Sequence, residues 1–230
     1  IGVIDTQFAE QGPQIAEMAR SLSAGPIRFV VNTHVHGDHV GGNGGFRESA
    51  IVGHETIRRR MEAENYPEPT RPNTTYGDGG AVLHVGGKTL VLRHYPAAHT
   101  DGDSAIWIEE AKVAHLGDLH TSNRYPFIDL ARGGSMRGLI DAIGNVLEWL
   151  PDDAIVIPGH GEVTDKNGLV EYYEMLETVT SRVQEFIDAG RSMQEILEAN
   201  PLEDLNERWG KAAFMSPDQF LPILVEDLRR

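Results

Sequence analysis

The chain has 230 residues, 40% of them apolar and 24% charged, with a formal net charge of −15 and no cysteine. That size and composition suit a globular protein with a sizeable core. The acidic balance disfavours nucleic acid as a partner. Absence of cysteine excludes disulfides, thiolate metal sites and thiol nucleophiles, and no apolar stretch is long enough for a transmembrane span.

In chain order, residues 1–5 read as a short strand. Ile15, Met18, Ala19 and Leu22 recur at helical spacing, which predicts an amphipathic helix over about 10–23, stopped by Gly25-Pro26. The apolar run 27–32 reads as a buried strand. Its carboxyl end carries His34-Val35-His36-Gly37-Asp38-His39, and carboxyl ends of strands are where open α/β sheets place their sites. A glycine-rich run, 41–45, follows and is expected to keep bulky side chains away from the site. Residues 54–63 look helical, with Arg58-Arg59-Arg60 on a solvated face and His54 as a surface or capping residue. The stretch 64–79, rich in Pro and Gly, reads as a loop. Strands are predicted at 81–85, 88–95, 104–109 and 112–116, with Gly86-Gly87 and Glu109-Glu110 as hairpin turns. His84, His94 and His115 fall in these strand patterns and read as structural. Ser135 is a candidate cap for a helix to Leu150. A short strand at 154–157 precedes Pro158-Gly159-His160-Gly161. Beyond 167 the chain reads as helical, with Ser216-Pro217 opening a last helix.

Three imidazoles and a carboxylate within one short turn, followed by His99, Asp118 and His160 in glycine-containing loops, make a complete ligand set for two adjacent metal ions. His34 and His36, two apart in an extended segment, point the same way, and His99 completes a three-imidazole site. Asp38 and His39 swing to a second position that His160 joins. Asp118, with two oxygens, is the natural bridge. Two ions about 3.5–4 Å apart share a hydroxide ionised near neutral pH, so no side-chain nucleophile is needed. Asp38 and Asp118 are the candidate catalytic carboxylates. Asp5 and Asp101 are candidates to orient a ligand imidazole, and His120 for a supporting or substrate-facing role.

These residues, His34-x-His36-x-Asp38-His39-x-Gly41-Gly42, His99-Thr100, Gly117-Asp118 and Pro158-Gly159-His160-Gly161, resemble the metallo-β-lactamase superfamily. The resemblance implies an α/β (α+β) fold, the four-layer αββα sandwich, as one domain over 1–230, with its core to about 166 and helices from 167. It implies two Zn²⁺, one held by His34, His36 and His99, the other by Asp38, His39 and His160. Other divalent metals or iron also suit such ligands. Strands that usually precede a segment like 1–5 are missing, which implies a trimmed or processed chain; the compartment, periplasmic or cytoplasmic, is left open. Lactamases of the best-known zinc subclass carry cysteine where Asp118 stands; aspartate there resembles glyoxalase II, lactonases and phosphodiesterases. Arg124, with Arg132 behind it, is the candidate to grip a substrate carboxylate. The expectation is a hydrolase of small cyclic amides or esters, lactamase-like in frame, with phosphodiesterase, lactonase or thioesterase action as alternatives and a di-iron oxidoreductase further behind. Neither a nucleic-acid nor a membrane partner is expected, and the oligomeric state is left open.

Overall fold

The computed structural model describes all residues but 213 and divides into two compact units, residues 1–95 with 102–116 and residues 96–101 with 117–230.

The first unit opens with β1 (Gly2–Ile4), α1 (Gly12–Leu22), β2 (Phe29–Val31), α2 (Gly37–Val40), β3 (Ala50–His54), α3 (Glu55–Ala63) and β4 (Thr74–Tyr76). The four strands form one parallel sheet in sequence order. β5 (Ala81–Val85), β6 (Lys88–Tyr95), β7 (Asp103–Ile108) and β8 (Val113–His115) follow as an antiparallel meander. Gly86 and Gly87, both at positive φ, make the first hairpin turn. Val31 and Val52 of the parallel sheet pack against Leu90, Leu92 and Ile106 of the meander, so the unit is held by one sheet lying on another.

Two details differ from the sequence reading. The segment 64–79 contains β4, because Thr74-Thr75-Tyr76 is a run of strand formers that pairs with Val52–His54 despite its Pro- and Gly-rich flanks. α1 does not bury Met18 or Leu22, which are exposed; its inner face is Gly12, Ala16 and Ala19. Close approach is the reason. A Cβ on Gly12 would stand 2.3 Å from the Gly42 oxygen, and one on Gly42 would stand 2.0 Å from the Thr6 oxygen. The glycine run therefore lets backbone pack on backbone, with Phe46 closing the core behind it.

The second unit contains α4 (Met136–Trp149), β9 (Ile155–Ile157), β10 (Thr164–Asp165), α5 (Lys166–Asp188), α6 (Met193–Ala199), α7 (Glu203–Trp209) and α8 (Pro217–Leu228). Ser135 caps α4 by accepting from the Gly138 amide at 3.1 Å. α5 buries one apolar stripe at helical spacing, Leu169, Tyr172, Leu176, Val179 and Val183. Capping boxes at Ser192 and Ser216 start α6 and α8. Among the described residues, no helix is long and apolar enough to cross a membrane.

Candidate metal centre

Each unit presents its own half of the ligand set. In the first, β1 and β2 run parallel with Ile4 opposite Val31, which sets Asp5 beside Thr33 just past the strand ends. Asp5, at a φ of 57°, accepts from the Thr33 amide at 2.8 Å and, through its other oxygen, from the Thr33 hydroxyl and His39 Nδ1, both at 2.7 Å. The Thr33 hydroxyl spends its proton on Asp5, so it accepts from His34 Nδ1 at 3.0 Å. Both imidazoles are thereby held with the proton on Nδ1 and the lone pair on Nε2. His34 Nε2 faces His36 Nδ1 at 3.1 Å, and His39 Nε2 faces Asp38 Oδ2 at 3.6 Å. Ring nitrogens this close, at the two-residue spacing of an extended segment, suit one cation bonded to both.

α2 follows at once and rotates Asp38 and His39 away from the strand. A buried polar knot fixes its position. The His39 carbonyl accepts from the Thr6 amide at 2.8 Å and the Thr6 hydroxyl at 3.1 Å, while Asn43 donates to Asn32 at 2.8 Å. Asn32, Asn43 and Thr6 were not singled out in the sequence; the only signal was an asparagine inside a glycine run.

In the second unit, His99 donates from Nδ1 to the Phe127 carbonyl at 2.6 Å, which again leaves the lone pair on Nε2. That nitrogen stands 3.5 Å from Asp118 Oδ2, and His160 Nε2 stands 3.3 Å from the same oxygen. Asp118 lies in a buried 3₁₀ turn, 117–119, with Gly117 at a φ of 52°. The Gly159 amide donates to the Gly117 carbonyl at 2.7 Å, and a Cβ at Gly159 would fall 1.9 Å from Asp118 Oδ1. Only glycine fits before His160 because the carboxylate occupies that space.

The remaining candidates are less exposed to chemistry than the sequence suggested. His120 is buried; its Nε2 faces the Ser122 hydroxyl at 3.3 Å, which donates to the Glu162 carbonyl at 2.7 Å, and burial pushes the imidazole pKa down to about 3. Arg124 donates from Nε to the Ser122 carbonyl at 3.4 Å, and Arg132 pairs with buried Asp129 at 2.8 Å. Asp101 packs under Gly133, and its amide donates to the Arg132 carbonyl at 2.9 Å. His54 is a cap as read, but not a surface residue. It is buried at the start of α3, accepts from the Thr56 amide at 3.4 Å, and stacks on His94 at 3.5 Å and 8°. Both rings approach Asp78, at 3.4 and 3.2 Å. Parallel rings that close cannot both hold one ion in their planes, and His54 Nδ1 already uses its lone pair, so this trio is a carboxylate-capped stack rather than a metal site.

The family model of the metallo-beta-lactamase superfamily matches residues 3–160. The chain belongs to that superfamily. A metallo-beta-lactamase type 2 of Bacillus sp. (strain 170) is 26% identical over 71% of this chain and 63% of its own length. The hydroxyacylglutathione hydrolase GloC of Haemophilus influenzae is 27% identical over 60% of this chain and 70% of its own. The chain thus spans less than two thirds of the length of the lactamase relative. Among solved structures, a metallo-beta-lactamase from Pontibacter korlensis superposes with a TM-score of 0.68 at 19% identity, covering 76% of this chain and 81% of the other. The fold is therefore the expected αββα sandwich of the superfamily, and His and Asp groups of this member are placed for metal binding.

Proposed function

We propose that the two half-sets hold two zinc ions, His34, His36 and His99 on one and Asp38, His39 and His160 on the other, with Asp118 between them, and that the protein hydrolyses small cyclic amides or esters. The observation that carries this reading is the fixed tautomer of three imidazoles. Asp5, Thr33 and the Phe127 carbonyl each take an Nδ1 proton, and each freed Nε2 faces another ligand atom. An imidazole shaped only for packing has no need of that arrangement. The donors are nitrogen and oxygen only, which suits zinc and also admits iron.

A bound ion pair supplies an acidified water and a polarised carbonyl. The chain supplies the rest. Asp5 holds His39, the Phe127 carbonyl holds His99, and the turn 117–119 holds Asp118 against Gly159. The lactamase and the thioester hydrolase among the relatives both support hydrolysis at a carbonyl. Aspartate rather than cysteine at 118 keeps the lactone, thioester and phosphodiester readings open behind the lactam one.

The test is a panel on zinc-reconstituted protein: nitrocefin, a glutathione thioester, a lactone and bis-p-nitrophenyl phosphate, each with and without a chelator. Chelator-sensitive turnover of nitrocefin supports the reading, and turnover of the phosphodiester alone replaces it. Metal analysis showing fewer than two ions per chain at saturating zinc removes the dinuclear assignment.

A further inference from the structure

We propose that Asp129 is the positioning residue of the second unit's half-site: its buried carboxylate closes the turn that holds His99 ready as a metal ligand before any ion arrives. This deepens the metal-centre reading above and rests on it for the zinc, though not for the state of the imidazole. His99 is gripped twice by one short stretch of chain. The Phe127 carbonyl accepts from His99 Nδ1 at 2.6 Å, and two residues on, the Asp129 amide donates to the His99 carbonyl at 3.0 Å. Further bonds flank these two. The Ala98 carbonyl accepts from the Ser135 amide at 2.8 Å, and the Asp101 amide donates to the Arg132 carbonyl at 2.9 Å. Gly134 passes so close that a Cβ there would stand 2.3 Å from the His99 oxygen.

The Asp129 side chain folds that stretch back on itself. It is only 4% exposed. Oδ1 accepts from the Ala131 and Arg132 amides at 3.1 and 3.0 Å, and Oδ2 accepts from Arg132 Nη1 at 2.8 Å. The Asp129 carbonyl accepts from the Gly134 amide at 2.8 Å, past the 3₁₀ turn Leu130–Arg132 that the carboxylate caps. Burying a carboxylate is costly unless several donors converge on it. A turn that only has to reverse the chain is capped equally well by an exposed aspartate. Here the buried acceptor and the two groups that grip His99 belong to one stretch, 127–129, so order in the turn passes directly to the ring. Arg132, which the sequence offered as backing for a substrate grip, is part of this turn.

The experiment reads the ring nitrogens of the metal-free protein by NMR, using nitrogen-15-labelled histidine at mildly alkaline pH, where a protonated ring nitrogen is distinct from a bare one. Zinc affinity is then measured against a competing chelator, with melting curves as a check on folding. In wild type, His99 is expected to carry its proton on Nδ1. In Asp129→Ala the turn amides lose their acceptor and the Phe127 carbonyl is no longer fixed. His99 should then exchange between its two tautomers, and at least one zinc equivalent should weaken about 10- to 100-fold. His34 and His39, held by Thr33 and Asp5, should keep their Nδ1 protons and serve as internal standards. Asp129→Asn keeps an oxygen for the two amides and releases Arg132 to solvent, so its His99 should match wild type and its zinc affinities should stay within about fivefold. If Asp129→Ala does not fold, Asp129→Gly takes its place with the same outcomes expected, since glycine is tolerated at such a cap. A variant that melts lower but keeps the His99 tautomer and both zinc affinities overturns the positioning role. So does a wild-type His99 without its Nδ1 proton, or an Asp129→Asn protein that loses it. Wild type that shows these tautomers yet binds no zinc removes the metal reading and leaves the positioning role standing.

Discussion

Replacing Asp5 by Asn tests whether the imidazole tautomers are what readies the metal ligands. The carboxylate takes three hydrogens: the Thr33 amide at 2.8 Å on one oxygen, and the Thr33 hydroxyl and His39 Nδ1 at 2.7 Å on the other. An amide of the same shape keeps one oxygen. With that oxygen on the Thr33 amide, its NH₂ faces His39, donor against donor. His39 must then move its proton to Nε2 or tilt away, and either change removes the lone pair turned toward Asp38. Loss of such an orienting partner costs about 10- to 100-fold in metal affinity, or about 1.4–2.7 kcal/mol. The assay is zinc titration against a competing chromophoric chelator, with the melting curve of the metal-free variant as a check on folding. Both zinc equivalents should weaken, since the NH₂ also meets the Thr33 hydroxyl that fixes the His34 tautomer. Both sites binding within threefold of wild type in a folded Asp5→Asn protein would refute the tautomer argument.

Other outcomes follow from the same contacts. Gly159→Ala drives a Cβ to 1.9 Å from Asp118 Oδ1 and 2.7 Å from the Gly117 backbone; bound zinc per chain should drop below two and stability fall by about 1–3 kcal/mol, read by metal analysis and urea unfolding. Gly42→Ala, with its Cβ 2.0 Å from the Thr6 oxygen and 2.9 Å from Gly12 Cα, should cost about 3 kcal/mol, and an unchanged urea midpoint would show that the glycine run is dispensable for packing. Zinc at 100 times its dissociation constant should stabilise the fold by about 2.7 kcal/mol if it binds only the native state; a melting temperature indifferent to zinc and chelator contradicts this. Ser192→Ala should destabilise α6 by about 1 kcal/mol at neutral pH. Ser192 and Arg191 hold the Glu195 carboxyl down to about 2. A depressed acid contributes fully above its unfolded value near 4.5 and loses that contribution as pH falls toward 2, so the gap between variant and wild type in urea midpoints should narrow below about pH 4.

Much of this molecule can be read without coordinates because its signals are local. His34 to His39 sit within one strand end and one helical turn, so their spacing alone sets their directions. Ser135 and Ser216 begin the helices that the sequence places after them. The stripe on α5 follows from a period of 3.6 residues. β4 was missed because three strand formers between prolines and glycines carry too little pattern, and only pairing with β3 makes them a strand.

The identity of the candidate ligands can be read from the chain's own order of residues, since donor chemistry and short-range spacing are properties of the sequence. Their readiness to bind was decided only in three dimensions. Asp5 and His39 are 34 residues apart, and Phe127 and His99 are 28 apart. Which ring nitrogen keeps its proton depends on what lies within hydrogen-bond reach, and that reach is created by strand pairing and loop packing. For the same reason α1 turns its small residues inward and leaves Met18 and Leu22 in solvent. The backbone it packs against comes too close for larger side chains, a constraint no helical period can express.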